Sequence, residues 1–227
     1  VQIFIDSADH KEIKKWLDCG IADGVTTNPS IMLKDGVYDM EAGAREIAAL
    51  INPRPLSVEV TTNDLSGMLA QAREFASWAP NMVVKIPVLN QDGVPCLEVI
   101  RVLAEDGIKV NATALLSFGQ VVLAAKAGAA YASIFAGRVA DEGHDAPGLI
   151  RKAVAWLTRW GYATKVIVGS IRGVIDIQEA AAAGAHVVTI PPPMLQKMAD
   201  HRYTRDTVRG FVSDAAKALE KLAEKRS

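Results

Sequence analysis

Short runs of β-branched and apolar residues alternate with longer amphipathic stretches from the start of the chain almost to its end. The short runs predict strands at Gln2–Ile5, Gly24–Thr26, Leu56–Val60, Met82–Ile86, Lys109–Ala112, Tyr131–Phe135, Lys165–Gly169 and His186–Thr189. Between and after them, helical periodicity predicts Asp9–Leu17, Met40–Ile51, Leu65–Trp78, Cys96–Glu105, Phe118–Ala127, Gly148–Trp160, Val174–Ala183 and Met194–Ala199. Asp9, Asn63 or Asp64, and Ser117 offer oxygens to the unpaired N–H groups of a first turn. Gly20, Gly107, Gly128, Gly161 and Gly184 stand where helices should stop. Pro191–Pro193 marks the turn into the last helical unit, and Pro87 should end the fourth strand.

Strict alternation of eight strands with eight helices predicts an α/β fold, a single (β/α)8 TIM barrel. A doubly wound sheet normally carries a Gly-rich phosphate loop after its first strand, and neither GxGxxG nor GxxxxGK[ST] occurs. A further amphipathic stretch, Arg205–Lys225, lines up Val208, Phe211, Val212, Ala215, Leu219 and Leu222. It predicts an additional C-terminal helix covering the barrel or a neighbouring subunit. No linker or shift in composition interrupts the 227 residues, so one domain, 1–227, is expected.

Composition narrows the chemistry. Net charge is −1, which gives no reason to expect nucleic acid or an anionic membrane as a partner. Cys19 and Cys96 are the only cysteines, and the four histidines are scattered, so neither a disulfide framework nor a metal site is expected. No apolar run would span a bilayer and no leader pattern opens the chain, so a cytoplasmic location is the expectation.

The polar residues that need explaining sit at strand ends. Met82-Val83-Val84-Lys85-Ile86-Pro87 carries a lysine where an apolar residue should be, and a buried lysine must be paired or give up its proton. Asp6 follows the first strand, Thr26-Thr27-Asn28 closes the second, and Glu59 lies on the third. Asn111 and Thr113 end the fifth strand, Ser133 and Arg138 the sixth, and Ser170 and Arg172 the seventh. Singly, Asp6 could be a helix cap, Asn28 a turn, Glu59 a structural counter-ion, and the arginines solvent-facing. Barrel closure would gather all of them around one cavity at the C-terminal face, where such barrels keep their chemistry. An amine with two carboxylates suits imine formation at a carbonyl followed by proton transfers. Two late-strand arginines suit an anionic handle such as phosphate. The residues alone therefore point to Schiff-base chemistry on a phosphorylated carbonyl compound, and no cofactor is expected.

These stretches resemble the transaldolase family, in its short-chain branch that includes fructose-6-phosphate aldolase. The resemblance runs from Ile3 to about Ala199 and rests on Asp6-Ser7-Ala8, Gly24-Val25-Thr26-Thr27-Asn28-Pro29-Ser30, Ser57-Val58-Glu59-Val60 and Val83-Val84-Lys85-Ile86-Pro87. It continues through Asn111-Ala112-Thr113, Ser133-Ile134-Phe135-Ala136-Gly137-Arg138 and Val168-Gly169-Ser170-Ile171-Arg172. It implies that Lys85 attacks the C2 carbonyl of a ketose phosphate, and that Glu59 assists through a water held partly by Thr113. It implies that Asp6 accepts the C4 hydroxyl proton. Asn28, Asn111 and Ser133 would hold the dihydroxyacetone part, and Arg138, Ser170 and Arg172 the phosphate. Glu59 and Phe135 match transaldolases, whereas the family's aldolases tend to carry glutamine and tyrosine there. Ser7, Ile134, Ala136 and Gly173 depart from common transaldolase choices. The partners implied are sugar phosphates and further copies of the chain, in a ring-based homo-oligomer such as a decamer. An aldolase using free dihydroxyacetone and a non-catalytic sugar-phosphate-binding barrel are the alternatives.

Overall fold

Eight parallel strands close on themselves in sequence order: β1 (Gln2–Asp6), β2 (Gly24–Thr26), β3 (Leu56–Glu59), β4 (Met82–Pro87), β5 (Val110–Leu115), β6 (Tyr131–Phe135), β7 (Lys165–Gly169) and β8 (Val187–Ile190). The computed structural model describes residues 1–226. Helices fill the crossovers, as parallel pairing demands: α1 (His10–Asp18), α2 (Pro29–Lys34), α3 (Met40–Ile51), α4 (Leu65–Ser77), α5 (Leu97–Glu105), α6 (Phe118–Lys126), α7 (Ala136–Asp141), α8 (Ala146–Arg159) and α9 (Val174–Ala182). These elements form one compact unit, Val1–Pro192. A second unit, from Pro193 on, holds most of α10 (Pro192–Ala199) and all of α11 (Arg202–Glu224).

Local chemistry explains the boundaries. Asp9, Asp39, Asp64, Ser117 and Asp145 each accept a backbone N–H in the first turn of the helix they precede. The five helix-stop glycines named above have positive φ, the conformation in which a side chain would be strained. Two helices lie beyond the periodicity-based expectation, α2 and α7, each of six residues. Pro87 ends β4 as its last residue, one beyond the predicted Ile86, and is level with Thr113. Pro192 and Pro193 open α10 instead of forming a turn before it, a place where a missing N–H costs nothing. The last helix begins three residues before the predicted Arg205, with the His201 ring accepting from Tyr203 N–H.

Inside the barrel, side chains stack in layers. Phe4, Ile167 and Val187 form a buried cluster with Tyr131 packed against it, and Gly24 leaves the space that the Phe4 ring fills. Asp6 is two residues beyond Phe4 on the same face of β1, so the apolar plug lies one layer below the first polar residue. In the second unit, α11 buries none of its residues, and Phe211, Val212 and Leu219 are each about two-thirds exposed. Among the described residues no helix is long and apolar enough to cross a membrane.

Candidate active site

Strand register sets the site. Glu59, Lys85 and Asn111 are paired at one level across β3, β4 and β5, and paired residues on parallel strands point the same way. Lys85 is only 5 % exposed. Its Nζ donates to the Thr27 carbonyl at 2.8 Å and lies 2.9 Å from Glu59 Oε2. The lysine is therefore paired, and the partner that balances it is also the nearest group able to take its proton.

Asp6 is level with Thr26, whose hydroxyl donates to Asp6 Oδ1 at 2.7 Å. Burial raises the Asp6 pKa above the ordinary carboxylate value, and the negative charges of Asp35 and Glu59 add to this. The Thr26 hydrogen bond and the Lys85 charge act the other way without cancelling it. A carboxylate so placed is a stronger base than a solvated one. Asp35 also fixes the turn after Asp6, because its Oδ2 accepts from Ser7 Oγ and from Ala8 N–H, each at 2.8 Å.

On the other flank, β5 carries an irregularity. Its register with β6 shifts between Ala112 and Leu115, and Ala114 has φ +61°. Such a bulge re-aims neighbouring side chains. Thr113 Oγ1 is buried with no hydrogen-bond partner among the described residues, an expensive arrangement unless a bound molecule meets it. Ser133 Oγ donates to Asn111 Oδ1 at 2.7 Å, which fixes the Asn111 amide. Asn28 caps α2, its Oδ1 accepting from Ile31 N–H at 2.9 Å, and the residue also lines the cavity.

Arg138 comes from α7 and Arg172 from the loop after β7. Arg138 sits 5.5 Å over the Phe135 ring, a cation–π contact that holds it at the cavity wall. Ser170 has φ +60°, strained for a residue with a side chain. Gly137 has to be glycine, because a Cβ there would run into the Ser170 carbonyl oxygen. The N–H groups of Arg172 and Gly173 both donate to Asp176 Oδ2, and the exposed Arg172 guanidinium pairs with Asp141 at 2.8 Å.

One cavity of about 190 Å³ joins these pieces. Asp6, Asn28, Lys85, Asn111, Thr113, Ser133, Phe135, Arg138, Ser170 and Arg172 all line it. Glu59 is not among the lining residues and stands behind Lys85, 2.9 Å from its amine. Thr26, Gly169 and Thr189 line it too, and the last two are residues the sequence does not mark for a role. A threonine within a strand otherwise made of Val187, Val188 and Ile190 was the available signal for Thr189. Among the described residues, no group of three or more His, Cys, Asp or Glu side chains is arranged to hold a metal ion.

Comparison with known proteins fits this geometry. The Transaldolase/Fructose-6-phosphate aldolase family matches residues 3–226. A probable transaldolase of Dehalococcoides mccartyi is 41 % identical over 214 residues, covering 94 % of this chain and 97 % of the relative. One of Anaeromyxobacter sp. is 42 % identical over 214 residues, with the same coverage of both chains. Among solved structures, one described as "Native KDPGal structure" shares the fold at a TM-score of 0.57 and 16 % identity, over 83 % of this chain and 80 % of that one. Similarity at this level along almost the whole length shows that the chain belongs to the Transaldolase/Fructose-6-phosphate aldolase family.

Proposed function

We propose that the chain is a class I transaldolase that carries a dihydroxyacetone unit from a ketose phosphate, such as fructose 6-phosphate or sedoheptulose 7-phosphate, to an aldose phosphate. The observation that carries this reading is the Lys85 amine, held 2.9 Å from Glu59 on a cavity wall it shares with Asp6. Lys85 passes a proton to Glu59 and adds to the C2 carbonyl. Glu59, working through a water at the Thr113 hydroxyl, supplies the proton that lets the carbinolamine oxygen leave as water. Asp6 then takes the C4 hydroxyl proton as the C3–C4 bond breaks, and the bonding electrons pass to the iminium to give an enamine. The aldose phosphate leaves. An acceptor aldehyde takes its place, the enamine carbon attacks it, and Asp6 returns its proton to the new hydroxyl. Water adds to the imine and frees Lys85. Asn28, Asn111 and Ser133 hold the dihydroxyacetone hydroxyls, and Ser170, Arg138 and Arg172 the phosphate.

Borohydride reduction in the presence of fructose 6-phosphate, followed by mass analysis, tests the covalent step. A dihydroxyacetone-sized mass increase on Lys85 is expected, and its absence would overturn the reading. Supplying free dihydroxyacetone with glyceraldehyde 3-phosphate should give little fructose 6-phosphate compared with transfer from a ketose donor. Brisk formation would favour an aldolase instead.

Arg172→Ala should raise KM for phosphorylated acceptors by about 10- to 100-fold, the worth of a hydrogen bond to a charged group. Unphosphorylated aldehydes should be little affected. Equal losses on both would place Arg172 outside the phosphate contacts.

The same reading gives a cytoplasmic enzyme in a ring-based homo-oligomer, with α11 covering a neighbouring copy. The exposed apolar residues of α11 support that assembly. Light scattering that returned a monomer would overturn it, as cell fractionation would the location.

A further inference from the structure

We propose that Thr189, on the last strand of the barrel, is a positioning residue for Asp6: its hydroxyl donates to Thr26, which donates to Asp6, and the file reverses when Asp6 takes up a proton. The inference rests on the reading of Asp6 as the proton acceptor. It adds to that reading a residue on β8, from which the mechanism above takes nothing.

Proton counting gives the direction. An ionised carboxylate only accepts, and a hydroxyl has a single proton. Thr26 Oγ1 spends its proton on Asp6 Oδ1 at 2.7 Å. Thr26 Oγ1 and Thr189 Oγ1 are also in direct hydrogen-bond contact, so in that state Thr189 must be the donor. Once Asp6 holds the C4 proton on Oδ1, it donates to Thr26, and Thr26 turns its proton towards Thr189. Two hydroxyl rotations accommodate both states, and at neither stage does a buried oxygen lose its partner. Linked hydroxyls of this kind polarise one another, so the outer member affects the inner one.

Packing holds Thr189 in the orientation this requires. Thr26 is 3 % exposed and Thr189 6 %. β2 and β8 flank β1, so the two hydroxyls meet across the strand that ends in Asp6. A Cβ on Gly169 would stand 3.2 Å from Thr189 Cγ2. Gly169 on β7 therefore makes room for the methyl while the hydroxyl is turned to Thr26, and a β-branched side chain so placed has little freedom at χ1. The charged groups acting on Asp6 from the surrounding elements are Lys85 on β4, Glu59 on β3 and Asp35 after α2, with Arg138 and Arg172 on the same cavity. None of them touches Thr189 in the structure's hydrogen bonds or ion pairs, so a Thr189 variant changes the hydroxyl file and leaves those charges in place.

The test compares Thr189→Val, which keeps the shape and loses the donor, with Thr189→Ser, which keeps the donor. Cleavage of fructose 6-phosphate in the presence of an aldose phosphate acceptor is followed as kcat and KM across pH, and borohydride trapping of free dihydroxyacetone reports Lys85 alone. Thr189→Val should lower kcat for cleavage about three- to tenfold, the worth of one ordinary hydrogen bond. It should also move the acid limb of the kcat/KM profile to higher pH, because the carboxylate loses support, while dihydroxyacetone trapping stays at the wild-type level. Thr189→Ser should restore both. Should Thr189→Val fail to fold, Thr189→Ala must show the same upward movement of the acid limb. A Val profile that superimposes on wild type, or a Ser variant as impaired as Val, would overturn the proposal. Failure of wild type to form the dihydroxyacetone-sized adduct from fructose 6-phosphate under borohydride would instead overturn the Schiff-base reading itself.

Discussion

Lys85→Met should yield a protein that takes up no dihydroxyacetone under borohydride and turns over fructose 6-phosphate at least roughly 10³-fold more slowly, because the covalent route is closed rather than weakened. Methionine matches the length of the lysine stem, so the cavity wall survives while the amine does not. The substitution also removes the donor that meets the Thr27 carbonyl and the cation that balances Glu59. A buried acceptor left without a donor costs about 1–3 kcal/mol. The melting temperature should therefore fall, by about 2–4 °C for each kcal/mol in a chain of this size. Adding Glu59→Gln should recover part of that fall, because it removes the unbalanced charge, while turnover stays lost. A single variant that still formed the adduct would move the nucleophile elsewhere. A double variant no more stable than the single one would mean that Glu59 is not bound to Lys85 in the way the 2.9 Å contact implies.

That contact shows what could be read from the residues and what could not. A lysine in an otherwise apolar strand had to be paired or neutral, and Glu59, level with it one strand away, was the candidate partner. The strands themselves were legible because β-branched runs alternate with helices capped by Asp or Ser and stopped by glycine. The short α2 and α7 were not, since six residues hold fewer than two turns and show no period, though Asn28-Pro29 carried a cap and an N1 proline as signals. The bulge in β5 was invisible because Ala114 is not a residue that announces a left-handed backbone. It carries the strand three residues past its predicted end at Ala112 and takes Thr113 into the site. Thr189 and Asp35 were missed for a different reason: they act on groups flanking or forming the site through hydrogen bonds, and a hydrogen bond between distant segments leaves no trace in spacing.

Asp6→Asn is expected to separate catalysis from stability in opposite directions. Asparagine keeps an oxygen to accept from Thr26, so the geometry is preserved, but it cannot take up the C4 proton. Cleavage of fructose 6-phosphate should fall by about 10²–10⁴, the usual contribution of a general base. Trapping of free dihydroxyacetone on Lys85 should persist, since it needs no C–C cleavage. Stability follows from the raised Asp6 pKa, with burial as its main cause. A carboxyl group whose pKa is higher folded than unfolded binds its proton more tightly in the native state. Its stabilising contribution is thus complete below the unfolded value, 3.8, and is lost as pH rises through the folded value. At neutral pH the wild-type protein bears the cost of an ionised, poorly solvated carboxylate that the neutral amide does not have. Asp6→Asn should therefore melt higher than wild type at pH 7, with the gap closing as pH is lowered towards 4. Every other titrating group is common to both proteins, so the pH dependence of the difference isolates this carboxyl. A variant that melts lower at pH 7, or a gap that does not change with pH, would mean that Asp6 is stabilised as an anion. It would then be a weaker base than the mechanism needs, and the proton from C4 would have to go elsewhere.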